Sequence, residues 1–243
     1  MASIALIGAD GSGKTTIARK LMESPPVPLK YLYMGLNIES SNYALPTSRI
    51  VYYLKVYKYK KKNQHLKKEK LKNLSLHKLH DDRKNDPRGK LGAAARLLNR
   101  LGEEWYRLMI SRIFQFRGFV VLYDRQFIFD AATSAEGEDL KRQRLSSRIH
   151  RWILEKLYEK PDMTIFLEAP AEVLFARKGE ADLEYLEGRN RAFLKVGKTL
   201  DNFIRVDATQ PEDAVFTAVC LHIKNFFDNK DQNHLTKYEE GIN

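Results

Sequence analysis

The sequence predicts an α/β fold of three layers, a parallel five-stranded sheet with helices on both faces. Three observations predict it. Five short apolar runs, at residues 4–7, 31–34, 119–123, 163–167 and 203–206, are continuous rather than alternating, as strands covered on both faces are. The stretches 15–22, 97–116, 146–158, 171–177 and 212–227 carry apolar residues at helical spacing, so strand and helix alternate, as crossover helices of a parallel sheet require. A glycine-rich turn joins the first run to the first helix.

The chain has 243 residues, 43% of them hydrophobic, enough to bury one core, and one domain over 1–243 is expected. The first run is too short for the core of a secretion signal and leads straight into the glycine turn, so it reads as a strand. No apolar stretch is long enough to suggest a membrane span. Cys220 is the single cysteine, which excludes an intramolecular disulfide and fits the reducing cytoplasm. The six histidines have no metal-ligand spacing.

After the first strand, Gly8-Ala9-Asp10-Gly11-Ser12-Gly13-Lys14-Thr15 has the G-x-x-x-x-G-K-[ST] spacing of a phosphate-binding P-loop, followed by Thr16. The glycines let the backbone curl so that its N–H groups point inward, and the helix N-terminus adds partial positive charge. Gly8, Asp10, Gly11, Ser12, Gly13, Lys14, Thr15 and Thr16 are therefore the candidate ATP phosphate site. Lys14 is placed to reach the β- and γ-phosphates, and the Thr15 hydroxyl to ligate Mg²⁺. With this loop the fold class becomes the P-loop NTPase type.

The second strand leads into a segment, residues 46–92, that breaks the alternation. Between Lys55 and Lys90 it holds 12 lysines and 2 arginines against 4 acidic residues, a net +10 that accounts for nearly all of the chain's +11. We read it as a basic insertion, its first half an amphipathic helix with tyrosines 52, 53, 57 and 59, its second half a loop. Its expected partner is either an anionic membrane surface or nucleic acid, against the plain alternative of a solvated run. Trp105 and Tyr106, in the helix before the third strand, read more readily as core than as acceptor-pocket lining.

The third strand ends in Asp124-Arg125, at the carboxyl edge where doubly wound sheets bind ligands. Asp124 can hold Mg²⁺ through water or take the acceptor's proton, and Arg125 offers a bidentate fork to an acceptor phosphate. The charged stretch 177–191 reads as a lid, and Arg177 is its preferred catalytic cation beside Lys178, Arg189 and Arg191. Pro211 suits the first turn of the last helix.

The phosphate loop, Asp124-Arg125, the strand Pro161-Asp162-Met163-Thr164-Ile165-Phe166-Leu167 and the turn Val206-Asp207-Ala208-Thr209-Gln210-Pro211 resemble thymidylate kinase motifs in their order. The resemblance covers residues 3–34 and 118–227. It implies ATP-dependent transfer to dTMP, with Asp10 near the acceptor sugar, Arg125 on the acceptor phosphate, and Ala208, Thr209 and Gln210 beside adenine. Ser12 in place of an arginine implies that the catalytic arginine comes from the lid. The chain departs from the pattern after the second strand, where residues 34–40 lack the family's arginine. Glu103 falls where an arginine reads thymine, with Arg100 and Arg107 one turn either side. Tyr106 and Arg107 join Asp10 and Arg125 as acceptor-site candidates.

The expected function is thus ATP- and Mg²⁺-dependent phosphoryl transfer to a small acceptor, most directly a nucleoside monophosphate. Two alternatives stand: the same donor site acting on a nucleoside, sugar or other hydroxyl compound, and an ATP-driven module that binds through its basic insertion. The sequence leaves a homodimer open.

Overall fold

The computed structural model describes residues 2–35, 41–62, 89–127, 129, 145–179 and 181–240. The predicted insertion loop at 63–88 lies outside the described residues. Strand β1 (Ser3–Ile7) leads through the glycine turn to helix α1 (Lys14–Glu23), and β2 (Leu29–Tyr33) follows. Next come α2 (Pro46–Lys62), α3 (Gly89–Phe116) and β3 (Val120–Asp124). Then α4 (Leu145–Leu157) precedes β4 (Met163–Glu168), α5 (Ala171–Lys178) and α6 (Leu183–Gly197). The chain ends with β5 (Phe203–Asp207) and α7 (Glu212–Glu240).

The five strands form one parallel sheet in the order β2-β3-β1-β4-β5. Ile4, Ala5, Leu6, Val121, Leu122, Ile165 and Phe166 are buried at its centre, which is why these strands read as unbroken apolar runs. β1 lies between β3 and β4, so the connections leaving it and those two strands diverge to opposite sides. That divergence opens a crevice at the carboxyl ends. The phosphate loop sits over it, and the pairing of Leu6 with Asp124 sets the end of β3 beside the loop's entrance.

Two helices exceed their sequence bounds. α3 begins at Gly89, where the sequence placed insertion to residue 92 and a helix only from 97; Leu91 and Ala93-Ala94-Ala95 extend the helix upstream. α7 runs to Glu240, beyond the apolar pattern that ended at residue 227. Gly118, at φ 82°, follows the end of α3 and turns the chain into β3. Trp105 is a correction to the core reading, since it is 60% exposed, in one line with Leu98, Met109 and Phe116 along α3. Among the described residues, no helix is long and apolar enough to cross a membrane.

Candidate phosphate and acceptor site

The glycine turn is shaped by close approach and by backbone hand. Gly11, at φ 91°, lies so near α5 that a Cβ there would stand 2.7 Å from the Leu174 carbonyl oxygen. Gly13 precedes the first residue of α1 at φ 86°, a left-handed conformation that glycine adopts without a Cβ penalty. The loop thus reaches the N-terminus of α1 with its first-turn N–H groups available to an anion.

Lys14 is buried, and its ammonium donates to the Ala9 carbonyl at 2.7 Å and lies 3.4 Å from the Ser12 hydroxyl. It is folded back over its own loop. Burial, with Arg125 and Arg189 adding repulsion and Asp10 opposing, pushes the Lys14 ammonium down to about 8. Burial works the other way on Asp10, but Lys14, Arg125, Arg189 and Lys178 outweigh it and hold this carboxyl below its usual range. Thr15 is exposed at the start of α1, and Thr16 is half-buried.

Asp124 ends β3 almost fully buried, and the Tyr31 hydroxyl donates to its Oδ2 at 2.8 Å. Burial and the Asp124 charge raise the Tyr31 phenol, so it remains a donor. Arg125 follows at φ 65°, an uncommon conformation for a residue with a side chain. Its guanidinium meets Asp10 at 3.2 Å. The structure therefore brings Asp10, Lys14, Asp124 and Arg125 together at one end of the sheet. Thr15, Asp124 and Asp10 supply only oxygen donors there, a hard set suited to Mg²⁺, which keeps several waters and needs few protein carboxylates.

A narrow cleft lies between the loop and the lid region, lined by Gly8, Lys14, Arg125, Gln126, Arg189 and Phe193 among others. Arg189 reaches it from α6, its guanidinium over the Phe193 ring at 5.4 Å and donating to the Tyr185 hydroxyl at 2.9 Å. Phe193 is buried against Phe129 and Phe166, and Asn190 donates to the Ala169 carbonyl at 2.9 Å, so α6 is anchored to the sheet. Arg177 is placed elsewhere. Its guanidinium donates to the Ala208 carbonyl at 2.8 Å, on the turn after β5. Arg191 is exposed beside Glu187.

That turn, the candidate adenine-binding loop, is held from within. Asp207 accepts from the Thr209 N–H at 2.8 Å, the Thr209 hydroxyl at 2.6 Å and the Gln210 amide at 3.0 Å. Those bonds hold the Asp207 carboxyl down at about 2. Ala208 is buried, while Thr209 and Gln210 are exposed.

On the acceptor side, Tyr106 is half-buried and Arg107 is 1% exposed. Arg107 donates to the carbonyls of Gly35 at 2.5 Å and Tyr33 at 3.4 Å, and pairs with Glu103 at 2.9 Å. Glu103 also accepts from the Leu45 N–H at 3.0 Å. Arg107 thus ties the end of β2 to α3. Sequence reasoning also missed a buried centre one residue on, where Glu104 accepts from His150 at 2.7 Å, Tyr158 at 2.9 Å and Arg100 at 3.2 Å. The sequence shows only the i,i+4 spacing of Arg100 and Glu104 on α3; the fold brings His150 of α4 and Tyr158, just after it, to the same carboxylate.

A scan of known protein families finds no match to this chain, and neither does a search of curated proteins. Solved structures do match. A deoxyadenosine kinase from M. mycoides with bound dATP superposes with a TM-score of 0.54 at 15% identity, covering 91% of this chain and 98% of that one. The same enzyme with dCMP and a flexible dCDP bound gives a TM-score of 0.49 at 14% identity, covering 92% and 99%. The fold is the P-loop fold of that kinase. The parallel five-stranded sheet and flanking helices expected from the sequence are those of the chain.

Proposed function

We propose that this chain is an ATP-dependent kinase that transfers the γ-phosphoryl group to a small nucleoside-type acceptor, and that the accepting atom is a hydroxyl oxygen. One observation carries the reading: the phosphate-loop Lys14 and the Asp10–Arg125 pair, with Asp124 beside them, converge at the carboxyl edge of the sheet. An ATP-hydrolysing module has no evident use for that acceptor-side cluster. The fold likeness to a deoxyadenosine kinase supports the same class.

Two features favour a hydroxyl over a phosphate. Arg107, a candidate for an acceptor phosphate, is engaged with backbone carbonyls and Glu103, and Arg125 is paired with Asp10. The carboxylates of Asp10 and Asp124 are hydrogen-bond acceptors, which a hydroxyl can satisfy and an ionised phosphate cannot. Transfer to dTMP is the second reading, supported by the order of the motifs from residue 8 to residue 211.

In this account the loop N–H groups and Lys14 hold the β- and γ-phosphates once the ammonium leaves the Ala9 carbonyl. Thr15 and Asp124 would hold Mg²⁺, which offsets phosphate charge when bound. Arg125 orients the acceptor, and Arg189 brings a guanidinium over the loop from α6. The acceptor oxygen bonds to the γ-phosphorus as the bond to the β–γ bridging oxygen breaks, releasing ADP. Asp10 takes the hydroxyl proton late, when bonding to phosphorus has made it acidic. Arg177 fixes the adenine turn rather than the γ-phosphate. A reducing cytoplasm suits an enzyme with one unpaired cysteine.

The test is ADP release from Mg²⁺-ATP against deoxynucleosides, nucleosides, dTMP, other monophosphates and simple sugars. Stimulation by nucleosides fits the proposal. Stimulation confined to dTMP replaces it with the second reading, and intact ATP binding without a response to any acceptor contradicts both.

A further inference from the structure

Helix α2 has an apolar face left exposed among the described residues. Ile50, Tyr53, Leu54 and Tyr57, at i, i+3, i+4 and i+7, form one stripe and are each between 54 and 66% exposed. Single exposed apolar residues are ordinary on a soluble surface, but four contiguous ones on one helix face mark an interaction site. The opposite face already has its contacts. Ser48 is buried and bonded to Asn99 at 3.3 Å, and Tyr52 and Val56 are half-buried.

The charge follows the same helix. By helical periodicity Lys58 and Lys60 fall roughly 80° to either side of the stripe, and Lys61 continues it. Lys61 and Arg49 are exposed. Beyond the helix the sequence carries on the run that gives residues 55–90 their net +10. An apolar stripe flanked by cations is the pattern of a helix lying in the interface of an anionic bilayer, where aliphatic and tyrosine side chains enter the headgroup boundary and lysines reach back to lipid phosphates.

We propose that α2 docks the protein on an anionic lipid surface, lying in its plane. A spanning role is excluded for it by length and charge, since a 17-residue helix covers about 25 Å and this one carries lysines along its second half. Nucleic acid fits less well, because Ile50 and Leu54 neither stack on bases nor bond phosphates. This inference is independent of the reaction the site performs.

The test uses the full chain in co-sedimentation with vesicles of phosphatidylcholine alone or phosphatidylcholine with phosphatidylserine. The expected result is partition onto the anionic vesicles, weakening with salt, and at least tenfold less onto the neutral ones. The double variant L54S/Y57S, with an unchanged melting temperature, loses at least tenfold of that partition, and Tyr53→Glu does the same. Failure to bind either vesicle overturns the proposal. So does anionic-vesicle binding that both variants retain, which would make the lysines alone responsible. Binding to duplex DNA that persists in the variants, without vesicle binding, assigns the surface to nucleic acid instead. A dimer that the stripe variants dissociate, again without vesicle binding, assigns it to a second copy.

Discussion

The guanidinium of Arg125 stands 3.2 Å from the carboxylate of Asp10, joining residues 115 positions apart into one charged surface beside Lys14. The strand end and the phosphate loop therefore act as a unit. A lysine at position 125 keeps the charge but loses the planar fork and its second donor. Arg125→Lys is expected to lower phosphoryl transfer about 100-fold, the scale of a small misplacement of a reacting group. Its melting temperature should stay near wild type, because a part-exposed pair contributes ~0–1 kcal/mol.

The position of Lys14 gives a stability prediction with a definite sign. Its folded value, about 8, is below the unfolded 10.5, so the folded state holds the proton less tightly. Charged Lys14 therefore costs stability below about pH 8, and that cost is relieved as pH rises toward 10.5. Lys14→Met should raise the melting temperature of the ligand-free protein at neutral pH by ~2–4 °C, the shift that 1 kcal/mol makes in a chain of this size. The same variant should lose stabilisation by ATP. Wild-type ATP binding above pH 8 should take up a proton, because phosphate favours the ammonium; calorimetry in buffers of different ionisation enthalpy reads this directly.

Arg107 is expected to behave as a structural residue. Arg107→Met leaves the Gly35 and Tyr33 carbonyls and the Glu103 carboxylate without their buried cation. Breaking a buried pair from one side costs about 3–5 kcal/mol, which denaturant unfolding will detect. Native stability together with a raised acceptor KM would return Arg107 to the acceptor site.

The two lid arginines should separate kinetically. Arg189→Ala removes the cation that faces the loop, so kcat should fall at least tenfold with little change in the KM for ATP. Arg177→Ala frees the Ala208 carbonyl, so the KM for ATP should rise with kcat nearly unchanged. The reverse pattern would restore Arg177 as the catalytic cation.

These residues also mark what the sequence could and could not reveal. The phosphate loop was legible because its information is local: spacing, glycines and a strand and helix on either side. Asp124-Arg125 was legible because a strand end in a parallel sheet has one functional edge. The carbonyl partners of Arg107 were not legible because they lie 72 and 74 residues upstream, at a turn whose path the sequence does not state. Tyr31 was missed as the partner of Asp124 because two strands that pair side by side are 93 residues apart. Which lid arginine lines the cleft was not legible either: Arg189 reaches it from α6 while Arg177, on α5, meets the Ala208 carbonyl, and in a stretch with charges on every side periodicity gives no answer.

The most direct test of the kinase reading follows the phosphoryl group itself, using γ-labelled ATP, Mg²⁺ and a deoxynucleoside mixture. The account predicts label in a nucleoside monophosphate with the wild-type chain, and none with Lys14→Ala folded to wild-type ellipticity. Label that appears only as inorganic phosphate, whatever the acceptor, would contradict it.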